Sequence, residues 1–380
     1  MKIKLGDICT FQSGGTPTKG TEEFFNGTIP WITTTALNGG KIDGTQAVNW
    51  ITEKAIEKSA AKLVPAFSIM VGTRVGVGKV AVNTVQMSTS QDIISLINID
   101  ENRWDKDYLC KYIQGKNAFL NSQARGATIK GIKMDVLANL ELEEITLENQ
   151  ARISETIDRV KVILDARKNE LLELDKLVKA RFVEMFGSYE CTTTVGNYIA
   201  ELRGGKSLSG TTPCKNKVLK TGAATFGWFD PKQYKYLPQD YEPLPEHKVE
   251  AGDVMISRMN TPELVGACSY VFEAPEDMYY PDRLWKVIPK NQANSIFIWQ
   301  LLWDPEIRRK IKEKSGGTSG TMHNISKAKL LELECIDVPV NEQNRFADFV
   351  KQINKSKAAV QKSLDETQVL FDSLMQKYFG

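Results

Sequence analysis

The sequence predicts an α+β protein in which two tandem mixed α/β domains are each followed by one long helix. Two observations lead to this fold class. Apolar residues keep a four-three spacing over more than four heptads in two separate stretches, a pattern typical of a coiled-coil seam. In front of each stretch lie short β-rich runs broken by glycine and proline. The predicted domains are 1–147 and 188–340, and the predicted helices are 148–187 and 341–380.

The two helix seams follow one register, each with two polar interruptions. The first seam consists of Ile153, Ile157, Val160, Leu164, Arg167, Leu171, Leu174, Val178, Arg181 and Met185. Adding 193 to each number gives the second seam, Phe346, Val350, Ile353, Lys357, Val360, Leu364, Thr367, Phe371, Leu374 and Tyr378. Both stretches end in Phe-Gly, and a glycine commonly stops a helix. Each helix is predicted to have roughly 37 residues and a length of about 55 Å.

Apolar residues also lie off the seam towards the end of each helix. They are Leu177, Phe182 and Phe186 in the first helix, with the equivalents Leu370, Met375 and Phe379 in the second. A two-stranded coil does not bury these side chains, so they must pack against another surface. We expect that surface to be the chain's own globular domains, with a partner protein as the alternative.

The domains in front of the helices repeat as well. Residues 5–8 are matched by 195–198 at an offset of 190, and residues 132–147 are matched by 325–340 at an offset of 193. The chain is therefore a tandem duplication with a period near 190 residues, which is too long for a solenoid repeat. The matched parts are strands and helices, whereas the loops differ. This indicates two sites that do the same kind of task on different targets.

Composition and charge describe an ordinary globular protein. The chain has 380 residues and a formal net charge of +2, so a nucleic-acid partner would require a local concentration of positive charge. Six cysteines are scattered without metal-ligand spacing, which indicates reduced thiols and a cytoplasmic protein. No apolar run has the length of a membrane span.

The sequence predicts binding rather than catalysis. The two histidines, His247 and His323, have no ligand or general-base partner at the usual spacing. Residues 72–80 superficially resemble a phosphate-binding loop, but Thr73 stands where that motif has glycine and Val80 where it has Ser or Thr. No cofactor, metal or catalytic residue is therefore predicted in this chain.

Several motifs, in their order along the chain, establish a family resemblance. They are Leu5-Gly6-Asp7-Ile8, Ser13-Gly14-Gly15-Thr16-Pro17, Ile29-Pro30-Trp31-Ile32, Gly76-Val77-Gly78-Lys79-Val80-Ala81, Ser90-Gln91-Asp92 and Leu147-Glu148-Asn149-Gln150. With the tandem halves and long helices, the chain resembles the specificity (S) subunit of a type I restriction–modification system over essentially its whole length. The second half departs from the pattern at Arg203-Gly204-Gly205-Lys206-Ser207, which lacks the Thr-Pro, and at Asp282-Arg283.

The resemblance implies two target-recognition domains separated by an antiparallel two-helix coiled-coil spacer. Each domain would read one half of a bipartite site in double-stranded DNA, and the length of the spacer would fix the unread gap. The chain itself would not be an enzyme. Two adenine methyltransferase subunits carrying S-adenosylmethionine would dock on it, and restriction subunits would join through them.

The candidate DNA-binding residues lie at strand ends and in glycine-rich loops, where hydroxyl, amide and cationic groups suit phosphates and base edges. In the first half they are Thr33, Thr34, Thr35, Thr73, Arg74, Lys79, Ser90, Gln91, Arg125, Thr128 and Lys130. In the second half they are Lys220, Thr221, Ser257, Arg258, Asn260, Arg283, Thr318 and His323. The alternative interpretation is turn chemistry, a solvated hairpin tip or a linker.

A second function class remains open from the residues alone. The two domains and their helices could form a non-catalytic adapter that binds protein rather than DNA. Salt dependence separates the two, because DNA binding weakens steeply with salt through counterion release.

Overall fold

A computed structural model describes residues 2–18, 20–126, 128–290, 292–319 and 322–380. The chain forms two compact units. Unit 1 consists of Met1–Lys168 and Lys362–Gly380, and unit 2 consists of Asn169–Gln361. Each unit is thus a mixed α/β domain together with parts of both long helices, as the predicted α+β class requires.

Unit 1 contains eleven strands within its described residues. They are β1 (Lys2–Lys4), β2 (Thr10–Ser13), β3 (Phe25–Ile32), β4 (Lys41–Ile42), β5 (Asn49–Ile51), β6 (Leu63–Val64), β7 (Ile69–Gly72), β8 (Val80–Asn83), β9 (Met87–Thr89), β10 (Ile93–Ile97) and β11 (Glu141–Glu143). They form a sheet in the order β2-β10-β7-β8-β4, a second in the order β5-β3-β9-β6, and the pair β1-β11.

The helices of unit 1 pack against both of its larger sheets. They are α1 (Glu53–Lys58), α2 (Lys106–Gly115), α3 (Asn117–Gln123), α4 (Met134–Ala138) and the first part of α5 (Leu147–Phe186). Side chains alternate along a strand. Ile69 and Val71 of β7 therefore face a core shared with α2, whereas Met70 packs with Ile32 of the second sheet.

Unit 2 repeats the central sheet, the second sheet and the strand pair, and it adds one three-stranded sheet. Its strands are β12 (Thr193–Thr194), β13 (Ile199–Gly204), β14 (Lys217–Leu219), β15 (Tyr234–Tyr236), β16 (Val254–Ser257), β17 (Met259–Asn260), β18 (Cys268–Tyr270), β19 (Met278–Tyr279), β20 (Leu284–Pro289), β21 (Gly316–Ser319), β22 (Met322–Asn324) and β23 (Glu334–Cys335). Its sheets have the orders β13-β20-β16-β18, β15-β14-β19, β17-β22-β21 and β12-β23. The helices are α6 (Ser295–Trp303), α7 (Pro305–Lys314), α8 (Lys327–Leu331) and the first part of α9 (Val340–Phe379).

The same alternation divides the core of unit 2. Val254 and Ile256 of β16 face the cluster that contains Phe297 of α6. Met255 faces the opposite side and packs with Leu219 and Leu284. Each unit is therefore layered as helices, central sheet and second sheet.

The long helices α5 and α9 have 40 residues each, close to the predicted length. Every predicted seam position on both helices is buried or half-buried, the polar interruptions included. In unit 2 the late part of α5 meets the early part of α9, because Lys357 Nζ lies 2.6 Å from the Asp175 carboxylate and the Phe182 and Phe346 rings are 5.4 Å apart. In unit 1 the early part of α5 shares a core with the late part of α9. The antiparallel arrangement is confirmed within each unit.

The off-seam residues behave in two ways. Phe186 is 2% exposed and packs on Phe297, and Phe379 is 2% exposed and packs on Tyr108. Phe186 belongs to the helix that follows the first domain in sequence, but it packs in the core of unit 2. Phe379 belongs to the helix that follows the second domain, but it packs in the core of unit 1. Leu177 and Leu370, in contrast, are about half exposed, so the expectation that they pack on a domain was wrong.

Candidate nucleic-acid interface

Four loops of unit 1 converge through backbone hydrogen bonds. Ser90 N donates to Ile32 O at 2.9 Å, which joins the segment before β10 to the end of β3. Thr73 N donates to Asp92 O at 2.8 Å, and Thr73 O accepts from Ile132 N at 2.8 Å. The structure therefore brings the candidate segments 33–35, 73–79, 90–92 and 125–131 into one neighbourhood.

The threonine loop after β3 exposes part of its polar groups. The hydroxyls of Thr33 and Thr35 are 2.8 Å apart, and Thr35 is exposed. Thr34 is buried at 4% exposure, and its methyl group lies beside Gly72. Thr33 and Thr35 remain available to a ligand, whereas the Thr34 side chain does not reach the surface.

The β7–β8 connection places two cations at a tight turn. Gly76 and Gly78 have φ of +77° and +79°, a conformation that glycine adopts without steric cost. Arg74 and Lys79 are exposed, and Arg74 lies 3.8 Å from the Asp92 carboxylate. Thr73 is buried and donates its hydroxyl to Asp92 O at 3.1 Å. Its role is therefore to hold the loop rather than to contact a ligand.

The segment before β10 offers one of its two predicted contacts. Gln91 is exposed, but Ser90 is 4% exposed, and its hydroxyl has no hydrogen-bond partner. The Ser90 backbone is held by the bond to Ile32, which turns the side chain inwards. We no longer expect Ser90 to contact DNA directly.

The glycine-rich segment before α4 lies against the β7–β8 connection, which contains Arg74. Arg125 and Gly131 exchange two backbone hydrogen bonds of 2.9 and 3.0 Å. A Cβ on Gly131 would come within 2.9 Å of Arg74 Cγ, so only glycine allows this approach. Arg125, Thr128 and Lys130 are exposed. A second group of polar and cationic side chains thus borders the first.

Unit 2 repeats the two backbone hydrogen bonds that Thr73 makes in unit 1. Arg258 N donates to Arg283 O at 3.1 Å, and Ile325 N donates to Arg258 O at 3.1 Å. Arg258 therefore stands where unit 1 has Thr73, one residue away from the position matched to Arg74 by sequence. The loop that follows is longer in unit 2, which hides this register in the sequence.

The candidates near β14 and β16 differ in exposure. Lys220 is exposed and Thr221 half-buried, at the start of a 3-10 turn after β14. Ser257 is fully buried and donates to Met259 O at 3.2 Å, so it has no surface for a ligand. Arg258 is half-buried, and its Nε has no hydrogen-bond partner.

The remaining candidates of unit 2 lie on the sheet β17-β22-β21 and beside it. Asn260 is paired in register with His323, and its Oδ1 accepts from Thr261 N at 2.9 Å. His323 Nδ1 lies 3.0 Å from the Ser315 hydroxyl. Arg283 is exposed. Thr318 belongs to β21, and its side chain lies outside the described part of the chain.

The exposed candidates are mostly cations without a carboxylate partner. Within the described ranges, Lys79, Arg125, Lys130, Lys220, Arg258 and Arg283 form no ion pair. Arg203 is different, because it binds Glu201 through Nε and Nη2 at 3.0 and 2.7 Å and so lowers the pKa of that carboxyl. Unpaired guanidinium and ammonium groups at loop tips can bind phosphates and hydrogen-bond acceptors on bases.

The described residues contain neither a metal-ligand cluster nor a helix that could span a membrane. No group of three or more His, Cys, Asp and Glu side chains there is arranged to hold a metal ion. No helix among those residues is both long and apolar enough to cross a membrane.

One segment of unit 2 was missed by the sequence analysis. Residues 215–236 contain five lysines, one aspartate and five aromatic residues, so their net charge of +4 exceeds that of the whole chain. Lysines interleaved with aromatic residues are a signal for nucleic-acid binding that a window count of charge would have found.

Comparison with known proteins identifies one family. The family described as "Type I restriction modification DNA specificity domain" matches residues 1–174 and 200–367. The chain is 25% identical to the type I restriction enzyme MjaIX specificity subunit of Methanocaldococcus jannaschii over 188 residues, 49% of this chain and 44% of that protein. It is 21% identical to the EcoKI specificity subunit of Escherichia coli over 374 residues, 92% of this chain and 80% of that protein. The chain spans about half the length of the first curated relatives that it matches.

Solved structures share the fold. An S subunit of a type I restriction–modification system from M. genitalium matches with a TM-score of 0.57 at 16% identity, covering 100% of this chain and 96% of that one. A structure from work on assembly of the type I R-M system matches with a TM-score of 0.61 at 16% identity, covering 100% and 97%.

Proposed function

Because the chain belongs to the family of type I restriction modification DNA specificity domains, we propose that it reads a bipartite DNA target. Unit 1 and unit 2 each read one half of the target. The chain supplies specificity, and partner adenine methyltransferase subunits, which bind S-adenosylmethionine, supply the chemistry. Restriction subunits join through those partners, and the assembly acts in the cytoplasm.

The observation that carries this proposal is the repetition of one loop arrangement with different side chains. Thr73 and Arg258 occupy the same place in the hydrogen-bond pattern of the two units, each bonded to the residue before the central strand. The scaffold is constant, while the side chains around it differ. Unit 1 has exposed Arg74 and Lys79, whereas unit 2 has half-buried Arg258 and exposed Arg283. Two different half-sites would be read from two copies of one frame.

The contacts divide by chemistry. Lys79, Lys130 and Lys220 are exposed ammonium groups, which suit phosphates and set the position of the unit on the duplex. Arg74, Gln91 and Arg283 present planar groups that suit bidentate contact with guanine or adenine in the major groove. Phosphate contacts hold the domain in register, and a few base contacts select the sequence.

The test is adenine methylation mapping by single-molecule sequencing, in cells that contain the partner methyltransferase with and without this chain. We expect a split motif with a fixed gap that appears only with the chain. An Arg74→Ala variant should relax one half of the motif, and an Arg283→Ala variant the other half. Identical maps with and without the chain, together with no selection from random duplexes by the purified complex, would overturn the proposal in favour of a protein-binding adapter.

A further inference from the structure

The most exposed aromatic pair in unit 2 lies in the basic segment 215–236. Phe226 and Trp228 are 62% and 59% exposed, and their rings stack at 5.6 Å with an interplanar angle of 28°. Large apolar side chains at this exposure need a partner when they occur together. Unit 1 has no aromatic residue in the corresponding loop after β3, residues 33–49.

The loop that carries the pair is held firmly. Gly227 has a φ of +86° and lies against Trp303, whose ring atom Cζ2 would be 3.4 Å from a Cβ there. Trp303 is fixed in turn, since its Nε1 donates to Cys268 O at 2.9 Å and the Arg308 guanidinium lies 5.2 Å from its ring. The next residue, Phe229, packs on the core of unit 2. The two rings are thus presented outwards from a pre-organised loop, which lowers the entropy cost of binding.

The pair is continuous with the candidate DNA-binding loops. Its loop begins at Lys220 and returns there, because Lys220 N donates to Gln233 O at 2.8 Å. On its other side, Arg308 Nη2 donates to Glu263 O at 3.0 Å, in the loop that follows Arg258. The aromatic pair therefore lies between two of the segments assigned to target recognition.

The charges around the pair fit DNA rather than an apolar protein surface. Lys220, Lys232 and Lys235 are exposed and form no ion pair within the described residues. Their field attracts phosphates, and each phosphate contact releases a counterion. Among protein partners, only an acidic surface would gain from an unpaired cationic rim.

We infer that Phe226 and Trp228 form an apolar base contact of unit 2, with Lys220, Lys232 and Lys235 as the phosphate clamp around it. The inference rests on the proposed function and names part of its specificity. Thymine carries the C5-methyl group, the apolar group that base pairs present in the major groove. The aromatic pair therefore contacts the C5-methyl group of a thymine in the half-site read by unit 2.

The test uses the full chain with its partner methyltransferase and the duplex found by methylation mapping. Each thymine of the half-site assigned to unit 2 is replaced in turn by deoxyuridine, which removes only the methyl group. We expect one replacement to weaken binding by the wild-type complex about fourfold, the effect of burying one such group. The Phe226→Ala/Trp228→Ala variant should not distinguish thymine from uracil, and Phe226→Tyr/Trp228→Phe should retain the distinction.

A Lys232→Ala/Lys235→Ala variant tests the clamp. We expect the slope of log affinity against log salt to fall by about 0.9 for each lysine, with unchanged base preference. Trp50→Ala, which removes a 44% exposed ring in unit 1, is the matched control and should leave the half-site of unit 2 unaltered.

The outcomes distinguish failure of the proposed function from failure of the aromatic base contact. Absence of any split motif with the wild-type chain defeats the proposed function itself. A motif that is read normally, with no uracil effect in the half-site of unit 2, overturns only this inference. So does loss of methyltransferase binding by the alanine variant with DNA selection intact, because the pair would then be a protein-docking surface. The uracil experiment with the wild-type complex does not depend on how any variant folds.

Discussion

Gln150 and Gln343 perform the same structural task, one at the start of each long helix. Both are buried, at 0% and 1% exposure. Gln150 Oε1 accepts from Asp105 N at 2.8 Å, and Gln343 Oε1 accepts from Asn294 N at 2.9 Å. Asp105 and Asn294 are the N-cap residues of α2 and α6. Each glutamine therefore ties the start of a long helix to a helix of its domain.

Replacing either glutamine should destabilise its own unit. Gln343→Leu leaves the half-buried N–H of Asn294 and the buried carbonyl of Val338 without their side-chain partners, because Gln343 Nε2 also donates to Val338 O at 2.7 Å. We expect a loss of about 1–3 kcal/mol in the unfolding free energy of unit 2. Hydrogen exchange resolved by unit measures it. Exposed Gln352→Leu on the same helix is the control, and equal losses in the two variants would contradict the argument.

Phe379 should contribute more to unit 1 than its place at the end of α9 indicates. Its ring lies 5.5 Å from that of Tyr108 and 6.2 Å from that of Tyr112. A Cβ on Gly115 would come within 2.6 Å of the Cβ of Phe379. Phe379→Ala should lower the unfolding free energy of unit 1 by about 3–5 kcal/mol through the cavity it leaves. Leu370→Ala, at 50% exposure on the same helix, should change it by less than about 0.5 kcal/mol. Hydrogen exchange resolved by unit compares the two, and equal losses of unfolding free energy would refute the assignment.

Two carboxylates around buried Lys286 should respond to pH in opposite directions. Lys286 Nζ lies 3.0 Å from Asp253 and 2.6 Å from Glu250. Burial raises the pKa of Asp253, so its stabilising contribution is complete below its ordinary pKa of 3.8 and is lost as pH rises through its folded-state pKa. The hydrogen bond from Lys286 lowers the pKa of Glu250, so its contribution is present above its ordinary pKa of 4.5 and is lost as pH falls through its folded-state pKa.

Unfolding of Asp253→Asn and Glu250→Gln between pH 3 and 7 tests this pair. Relative to the unmodified chain, the stability of Asp253→Asn should rise with pH across the window above 3.8, and that of Glu250→Gln should rise as pH falls below 4.5. Tyr280, whose hydroxyl donates to Asp253 at 3.2 Å, remains neutral throughout. Parallel pH profiles of unfolding free energy for the two variants would contradict the opposite pKa shifts of Asp253 and Glu250.

The spacer part of the proposed function predicts a change of gap length with helix length. Inserting one heptad after Lys168 in α5 and one after Gln361 in α9 keeps the seam in phase, because the seam repeats every seven residues. Seven residues add about 10.5 Å of helix, so the methylated motif should gain roughly three base pairs in its gap with both half-sites unaltered. Insertions of four residues, which shift the seam, are the control and should abolish recognition. An unchanged gap after the heptad insertions would exclude the spacer role.

The helices were predictable because their signal is local and periodic. The four-three spacing identifies both seams, and even Arg167 and Lys357 lie there half-buried. The periodicity does not reveal which surface each off-seam side chain packs against. Phe186 and Leu177 look alike in a helical register, and only the surface offered by Phe297 decides that the first is buried.

The sequence predicts which loops carry exposed polar side chains better than it predicts which side chains of those loops are exposed. The loops 33–35, 73–79 and 90–92 lie together, because backbone hydrogen bonds join the ends of β3 and β7 to the segment before β10. The sequence does not reveal that Thr34, Ser90 and Ser257 point inwards, since a hydroxyl suits both a turn and a surface. Nor does it reveal that Arg258 occupies in unit 2 the position that Thr73 has in unit 1, because the loops that follow differ in length and the register is fixed by pairing across the sheet.

The burial of Phe379 in unit 1 also determines the order in which the two units can be completed during synthesis. Unit 2 is one continuous stretch, Asn169–Gln361, whereas unit 1 needs Lys362–Gly380 in addition to its first 168 residues. At about 5–20 residues per second, translation of the intervening stretch takes roughly 10–40 s. Through that interval the part of the chain made first leaves the ribosome with Tyr108 and Tyr112 uncovered, and it reaches its native core after the part made second.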